Sequence, residues 1–566
     1  MCESTKKYHM LSTYNSEANN TNLLRLVIAI FAVVFIVTLI VNTSNILNFS
    51  FFHEEHRNLY HFDTTWTNDN DYIAEFLSSA SHPVLYDVIT HAAIRLGIDL
   101  VVFHKIMMLF CAALLILGAA MLGYRVGGSS TAWLTAFLVT AQPVYFYQTN
   151  SATPHAFAFP LLMWGLVCLS YGRQYSLALL TVLASLLYAP VSIMLGLSLA
   201  WMVLASAIRS KLEKRTLLRV ALLVGLPGAI AFIALLAQLA PLDGYGARLG
   251  PNEMTDVYPE NGLDGRLHIS ATSPLTYIFE LAHSQFRQSL AVQPVLLLMV
   301  IYLSFGLYGI HFLITKVELK NAVVAFAIPN ALFFIFVYIF KPYISYRFLL
   351  YPLFTLMPAC FVAGVLAFSY SRLKNPLSQT LFIFISIGIF FVAFHSRDAE
   401  RTGFRLQLSK AGNELMEFVG ELPETAVLAV WPYELQTGLI PYVGKRTLFI
   451  TGKAHTTAYE NHILEMRQRT YDLINAYLAT DSTALSLLRC RWKVDFLVVD
   501  KFHFTSAGSH PEYFAPFSNA ITEIFDKTNV QDMYLYNLPD EGVIFESGNF
   551  YVIDLLMISH HSECTE

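Results

Sequence analysis

Long apolar runs alternate with short polar segments through the first 395 residues of the chain. A run of roughly 20 apolar residues is long enough to cross a bilayer as a helix. Such runs lie at 23–41, 100–123, 132–146, 156–171, 177–188, 191–207, 217–239, 295–314, 322–340, 348–368 and 381–394. The third and fifth runs are short for a span. The pattern predicts a polytopic α-helical membrane protein with about eleven transmembrane helices.

The basic residues between these runs predict which side of the membrane each connection faces. Cytoplasmic connections collect lysine and arginine. With the N-terminus inside, the cytoplasmic segments hold Lys6, Lys7, Arg125, Arg173, Arg209, Lys211, Lys214, Arg215, Arg219, Lys316, Lys320, Arg372 and Lys374. The short outer turns at 147–154 and 188–190 hold none. Three larger pieces then face outward: the loop 42–99, the loop 241–293 and everything after His395.

The pattern changes after the last apolar run, where short β-rich runs alternate with amphipathic stretches. Strands are predicted at 425–431, 446–450, 494–500 and 549–555, and a long helix at 457–478. This order predicts a small, mostly parallel sheet. No glycine fingerprint follows these strands, so nucleotide binding is unsupported. The chain thus divides into a cytoplasmic tail (1–22), a transmembrane domain (23–395) and an extracytoplasmic, soluble α/β domain (396–566).

Composition supports the membrane assignment and excludes one class of partner. Charged residues make up 14% of the chain and hydrophobic residues 55%, whereas soluble domains are about one quarter charged. The net charge of −5 comes without a basic cluster that has aromatic residues interleaved, which excludes a nucleic-acid surface. Three of the six cysteines lie inside apolar runs, and no disulfide or zinc framework can be read from their spacing.

Polar residues that could carry chemistry are concentrated in the first outer loop, between His53 and Asp87. The apolar runs hold almost no ionisable residues, which argues against an ion-coupled transporter. His53 and His56 are three residues apart, so they do not match the four-residue histidine spacing of zincins. The distribution favours an active site at the membrane surface.

Short motifs in this setting resemble those of a known superfamily. One span and an acidic outer loop precede Ser-His-Pro-Val-Leu-Tyr at 81–86 and Arg-Leu-Gly at 95–97, and Tyr-Arg-Phe-Leu-Leu-Tyr-Pro begins a late span at 346–352. The arrangement resembles the GT-C superfamily of polyprenyl-phosphate-sugar-dependent glycosyltransferases, which includes protein O-mannosyltransferases and lipid A aminoarabinose transferases. These enzymes commonly carry an acidic pair after the first span, a His-Pro-Pro-Leu-Tyr-like segment and an Arg-Tyr-Leu-Leu-Pro motif.

The resemblance implies a catalytic carboxylate in the first outer loop. Sugar transfer requires a base that takes the proton of the acceptor hydroxyl. The acid of the family lies where residues 66–72 lie here, so Asp69 and Asp71 are the leading candidates and Asp63 is a third. The chain has Asp-Asn-Asp rather than Asp-Glu, which leaves the choice of base open. The competing interpretation is a solvated loop in which Asn68 or Asp69 caps the helix that starts near Tyr72.

The resemblance also implies a cation for the donor phosphate at the outer interface. Arg347 suits this role and Lys341 lies near it in sequence, although either could be an interfacial anchor. His82, Tyr86 and Tyr346 are candidates for binding or orienting the acceptor. Some relatives use a divalent cation to neutralise a phosphate and others do not, so Mg²⁺ or Mn²⁺, which Asp69 or Asp71 could hold, is an open requirement, and no metal ligands are assigned.

The expected function is a glycosyltransferase of the cell envelope. It would move a sugar from a polyprenyl-phosphate carrier to a lipid, glycan or protein acceptor outside the cytoplasm, in the inner membrane of a bacterium, with membrane lipids as its other partners. Two alternatives stay open. The chain could be a non-catalytic membrane protein of this architecture that binds a partner or a lipid-linked glycan, or it could transport a lipid-linked sugar.

Overall fold

The computed structural model of the chain describes most of the predicted membrane and tail elements. The described residues are 72–79, 83–142, 153–209, 220–238, 242–250, 257–261, 295–315, 317–340, 347–395, 409–432, 439–452, 459–505, 510–537 and 542–559, with the single positions 36, 40, 145, 149, 218, 253, 265, 454 and 455. The first predicted span is represented by Ile36 and Ile40, which are both helical and exposed.

Helices occupy the described parts of the predicted runs from the second to the eleventh. They are α3 (Leu100–Gly127), α4 (Ser129–Ala141), α5 (Ala158–Ser170), α6 (Gln174–Leu187), α7 (Ala189–Arg209), α8 (Leu226–Gln238), α9 (Val295–Thr315), α10 (Val317–Phe340), α11 (Arg347–Arg372) and α12 (Pro376–His395), while α1 (Tyr72–Ser79) and α2 (Val84–Arg95) precede them. Five, namely α3, α7, α9, α10 and α11, are long and apolar enough to cross a membrane. The total of eleven spans stays a prediction.

Helix α11 is the central helix of this bundle. Its side chains are almost entirely buried from Leu350 to Leu366. It approaches α9 closely because glycines face each other: a Cβ atom added at Gly309 would overlap the carbonyl oxygen of Cys360, and one added at Gly364 would overlap that of Phe305. Small residues permit such backbone contact between membrane helices. The packing fixes α11, and with it Arg347, its first residue.

The tail contains a mixed five-stranded sheet between helices. Its elements are α13 (Lys410–Glu421), β1 (Val427–Val430), β2 (Thr447–Leu448), α14 (Glu460–Tyr477), α15 (Thr483–Trp492), β3 (Phe496–Asp500), α16 (Phe517–Lys527), β4 (Val543–Ser547), β5 (Phe550–Asp554) and α17 (Leu555–Ser559). The strand order is β2-β1-β3-β5-β4. Strands β1, β2 and β3 are parallel, and their apolar residues supply the core.

Two details of this sheet differ from the sequence-based expectation. Strand β4 was not predicted, and β5 pairs antiparallel with both β3 and β4. The sheet is therefore mixed rather than mostly parallel. The antiparallel β4–β5 pair follows from the tight hairpin between them, in which Gly548 adopts a φ of 56°, since strands joined by a short hairpin must run antiparallel.

Cys490, near the end of α15, is disulfide-bonded, although the cysteine spacing revealed no disulfide framework. Cys111, Cys168 and Cys360 are free, which leaves Cys2 and Cys564, both outside the described residues. Helix α15 packs against α17, which ends at Ser559, close in sequence to Cys564. The predicted topology, by contrast, places Cys2 in the cytoplasm.

We predict that Cys564 is the partner of Cys490. Peptide mapping without reduction should recover both cysteines in one cross-linked peptide, because disulfides persist in the oxidising extracytoplasmic space. Loss of a disulfide that closes a loop of this size should lower the free energy of unfolding by about 2–5 kcal/mol. Cys168→Ser is the control, since that thiol is free. Recovery of Cys490 joined to Cys2 would contradict both the pairing and the predicted topology.

Candidate functional site

Arg347 and Tyr86 are the predicted site residues that the structure describes. Asp63, Asp69, Asp71, His82, Lys341 and Tyr346 lie outside the described residues. Their roles therefore stay predictions. Arg347 is the first residue of α11 and Tyr86 lies in the first turn of α2.

The half-buried guanidinium of Arg347 is held by two neutral groups. Its Nη1 donates to Nε2 of His155 at 2.9 Å and to the hydroxyl oxygen of Tyr188 at 2.9 Å. Because a guanidinium has no acceptor, Nε2 of His155 must accept. The imidazole at this contact is therefore neutral and carries its proton on Nδ1. These two contacts, both with uncharged groups, help to orient the guanidinium.

The three residues of this cluster come from segments far apart in sequence. His155 lies in the 3₁₀ turn Pro154–Phe157 that leads into α5, and Tyr188 forms the connection between α6 and α7. His155 directly follows the connection at 147–154 and Tyr188 belongs to the connection at 188–190. The basic-residue pattern predicts that both connections, and the start of α11, lie on the outer face. The sequence analysis did not identify His155 or Tyr188, although their shared membrane face was a usable signal.

An aromatic layer supports the Arg347 cluster from the bundle interior. The ring of Tyr351, one turn along α11, lies 6.2 Å from the Tyr188 ring and 5.2 Å from the Phe159 ring. Tyr145 packs edge-on against Phe159, and its hydroxyl donates to the carbonyl oxygen of Phe354 at 2.6 Å. These aromatic side chains have little room to change rotamer. The layer thus restricts movement of Arg347 toward the bundle.

A fixed, partly buried guanidinium is suited to an anion with several oxygens. Arginine presents a planar fork of donors that matches phosphate, and its charge persists at every physiological pH. Partial burial strengthens this attraction, because fewer water molecules screen the charge. The cluster does not fit a metal ion, since its one strong metal-binding atom, Nε2 of His155, already accepts from Arg347. Among the described residues no group of three or more metal ligands occurs.

Tyr86 occupies a structural position between two helices. Its side chain is fully buried, and its hydroxyl lies 3.3 Å from Nε2 of His104 on α3. This contact joins α2 to the N-terminal part of α3 and is sufficient to explain a tyrosine here. A role of Tyr86 in acceptor binding stays a prediction.

The second outer loop is joined to the tail through the start of α14. The backbone N–H groups of Glu460 and Asn461 donate to the carbonyl oxygens of Ala247 at 3.0 Å and Tyr245 at 3.1 Å. The first N–H groups of a helix have no partner inside the helix. The loop therefore supplies acceptors that α14 requires, which makes this contact part of the fold of the tail.

An ion pair further along α14 secures the same loop. Arg467 contacts the carboxylate of Glu260 through two nitrogens, with Nη2 donating to Oε2 at 2.8 Å. Glu260 is 1% exposed, so removal of Arg467 would leave a buried charge without this partner. Such a loss is strongly destabilising. The described part of the second outer loop is thus fixed against the tail.

Comparisons with known proteins give distant structural matches. No family model and no curated protein matches the chain. The archaeal oligosaccharyltransferase AglB from Archaeoglobus fulgidus, solved in complex with an inhibitory peptide and a dolichol-phosphate, is 12% identical with a TM-score of 0.48, over 84% of this chain and 70% of that one. The A. fulgidus oligosaccharyltransferase complex with Zn and sulfate is 13% identical with a TM-score of 0.44, over 83% and 68%.

A third match is the same archaeal enzyme tethered with an acceptor peptide containing the NVT sequon, at 12% identity and a TM-score of 0.43, over 84% of this chain and 69% of that one. The matched structures are GT-C membrane glycosyltransferases, the superfamily that the sequence motifs resemble. With TM-scores below 0.5, they carry no argument about the activity or residues of this chain.

Proposed function

We propose that the protein is a glycosyltransferase that moves a sugar from a polyprenyl-phosphate carrier to a lipid, glycan or protein acceptor on the extracytoplasmic side of the membrane. The observation that carries this proposal is the Arg347 cluster. It presents an oriented cation where three predicted outer segments meet. A lipid-linked phosphate would reach that position from the outer leaflet.

In the proposed reaction, a carboxylate acts on the acceptor side of the donor sugar and Arg347 acts on its phosphate side. The acceptor hydroxyl oxygen attacks the anomeric carbon of the sugar and forms the new glycosidic bond. The bond from that carbon to the phosphate oxygen breaks, and the lipid phosphate leaves with the electron pair. Asp69 or Asp71, or as a third candidate Asp63, takes the hydroxyl proton. Arg347 stabilises the negative charge of the leaving phosphate.

Three candidate residues complete the proposed site, together with an open metal requirement. Lys341 lies close in sequence to Arg347 and could add positive charge, whereas His82 and Tyr346 are candidates for contact with the acceptor. A divalent cation, Mg²⁺ or Mn²⁺, would neutralise phosphate charge when bound beside the first-loop acids. The activity assay is therefore run with and without a metal chelator.

The activity assay uses the full chain, purified and reconstituted in lipid vesicles. Radiolabelled polyprenyl-phosphate sugars are supplied with envelope lipids, glycans or peptides, and transfer is followed by extraction and chromatography. Acceptor-dependent release of polyprenyl phosphate is the expected result. Saturable binding of polyprenyl phosphate without turnover in any pairing would favour the non-catalytic alternative. Movement of the intact donor across the vesicle membrane would favour the transporter.

The proposal requires an odd number of spans, eleven in the predicted topology, because an odd number places the tail outside when the N-terminus is inside. We predict that alkaline phosphatase fused after Glu566 is active in a bacterial host and that a green fluorescent protein at the same point is dark. Fusions within the basic cytoplasmic connection at 210–219 serve as the control and should show the opposite pattern. Activity of only the cytoplasmic reporter at the C-terminus would contradict the placement of the tail, and of the proposed site, on the outer face.

A further inference from the structure

Helix α1 links the acidic part of the first outer loop to the tail. It begins at Tyr72, directly after Asp71, and Asp69 lies two residues earlier. Its apolar side chains Ile73 and Phe76 are buried. Consecutive Cα atoms are about 3.8 Å apart. Contacts that fix Tyr72 therefore limit how far from it the two acids can lie.

The main contact of α1 with the tail is a stack of aromatic rings on His462 of α14. The imidazole lies 3.6 Å from the Phe76 ring at an interplanar angle of 27°, and 5.5 Å from the Tyr72 ring at 16°. His462 is fully buried, and its Nε2 lies 3.0 Å from the carbonyl oxygen of Ala454. That oxygen only accepts, so Nε2 carries the proton. Nδ1 has no hydrogen-bond partner among the described residues.

The second outer loop closes the other side of this stack. The Tyr245 ring packs edge-on against Phe76 at 4.9 Å and against Tyr72 at 5.7 Å. Tyr245 also provides a backbone acceptor for α14. Helix α1 is therefore enclosed between the tail and the described part of the second outer loop.

We propose that α14 of the tail is a positioning element for the acidic segment of the first outer loop, with His462 as the positioning residue. The consequence for catalysis rests on the proposed function, whereas the docking of α1 stands on the ring contacts alone. The tail would then contribute to turnover without touching the reacting atoms.

Protonation of His462 provides a way to test this contact. In the described part of the chain, the titratable or charged groups around it are Tyr72 and Glu75 on α1, Tyr245 on the second outer loop, His455 beside Ala454, Tyr459 directly before α14, and Glu465 and Arg469 on α14. Burial lowers the pKa of His462 from 6.5 to about 4; the bond to Ala454 opposes this shift and the positive Arg469 adds to it. The docked form holds the neutral ring.

The sign of the pH effect follows from this lowered pKa. In an undocked state that exposes His462, the imidazole would titrate nearer its ordinary pKa of 6.5. As the pH falls below that value, the undocked state binds a proton at His462 before the docked state does, and this protonation favours undocking. Docking is therefore fully stable above the ordinary value and weakens progressively as the pH approaches about 4.

The docking test measures hydrogen exchange of the α1 amides in the full-length protein in lipid nanodiscs. His462→Ala should speed α1 exchange about tenfold, because one aromatic pair contributes about 0.5–1.5 kcal/mol and 1.4 kcal/mol is a factor of ten. His462→Phe keeps the stack and should retain protection while losing its dependence on acid. Leu464→Ala changes an exposed residue of the same helix and should resemble the wild type. Equal exchange in His462→Ala and wild type would overturn the proposal.

Two further measurements separate this proposal from the proposed function. His462→Ala should lower kcat while the affinity for polyprenyl phosphate is unchanged, and His462→Phe should restore kcat. Phe76→Leu gives an independent perturbation from the α1 side if His462→Ala fails to fold. Absence of turnover in the wild type would defeat the proposed function, and the exchange data would still decide the docking. Normal kcat in a variant with an unprotected α1 would defeat the positioning role.

Discussion

Replacement of the proposed base by asparagine is expected to lower turnover by about 10²- to 10⁴-fold. Asp69→Asn and Asp71→Asn keep the size and most hydrogen bonds of the side chain but remove its ability to take a proton. Only the variant at the true base should show this drop in turnover, because the other acid would at most alter the electrostatic environment of the base. Donor binding and the melting temperature should stay at the wild-type level in both variants.

The controls for this prediction come from the same outer face. Asp63→Asn tests the third candidate, and Asp243→Asn removes an exposed carboxylate from the second outer loop, where no effect is expected. The measurement is the single-turnover rate with saturating donor, so that binding and chemistry are separated. Wild-type turnover in the double Asp69→Asn, Asp71→Asn variant would show that neither acid is the base.

The second large effect is expected from Arg347→Ala, which should weaken binding of polyprenyl phosphate about 10- to 100-fold. A hydrogen bond to a charged group contributes about 1.5–3 kcal/mol, and 1.4 kcal/mol corresponds to a factor of ten in affinity. Because the phosphate gains charge as it leaves, kcat should fall as well. High salt should reduce the difference in affinity between wild type and Arg347→Ala only in part, because the guanidinium is half-buried and salt screens it incompletely.

Two matched variants refine this prediction. Arg347→Lys keeps the charge but loses the planar fork, so its affinity should lie between wild type and Arg347→Ala. Arg372→Ala removes the arginine at the opposite end of the same helix and should leave donor binding unchanged. Binding is measured by titration of polyprenyl phosphate in nanodiscs. An unchanged Kd in Arg347→Ala would exclude a phosphate role for this cluster.

Arg347 illustrates what the sequence could and could not predict. The late motif at 346–352 was sufficient to select this arginine as a candidate, and the distribution of basic residues predicts its membrane face. Its partners His155 and Tyr188 are 192 and 159 residues away, and nothing local marks them as a pair. Only the packing of α5, α6, α7 and α11 brings them together. Periodicity predicts elements, whereas such contacts depend on tertiary structure.

The tail shows the same division between local and long-range information. The long helix at 457–478 was predicted and appears as Glu460–Tyr477, because its amphipathic period is a local property. The hairpin that makes the sheet mixed was missed, since Gly548 and its neighbours form a short turn beside weakly patterned strands. The stack of His462 on Phe76 joins distant segments, and no spacing rule connects them.

The most direct test of the central claim is a structure of the protein with polyprenyl phosphate bound in a lipid nanodisc. We expect the phosphate to contact the Arg347 guanidinium, with the carboxylate of Asp69 or Asp71 on the other side of the same cavity, open to the outer leaflet. The space between them should accommodate one sugar. Carboxylates that point away from Arg347, with no cavity between them and no opening to lipid, would contradict the account.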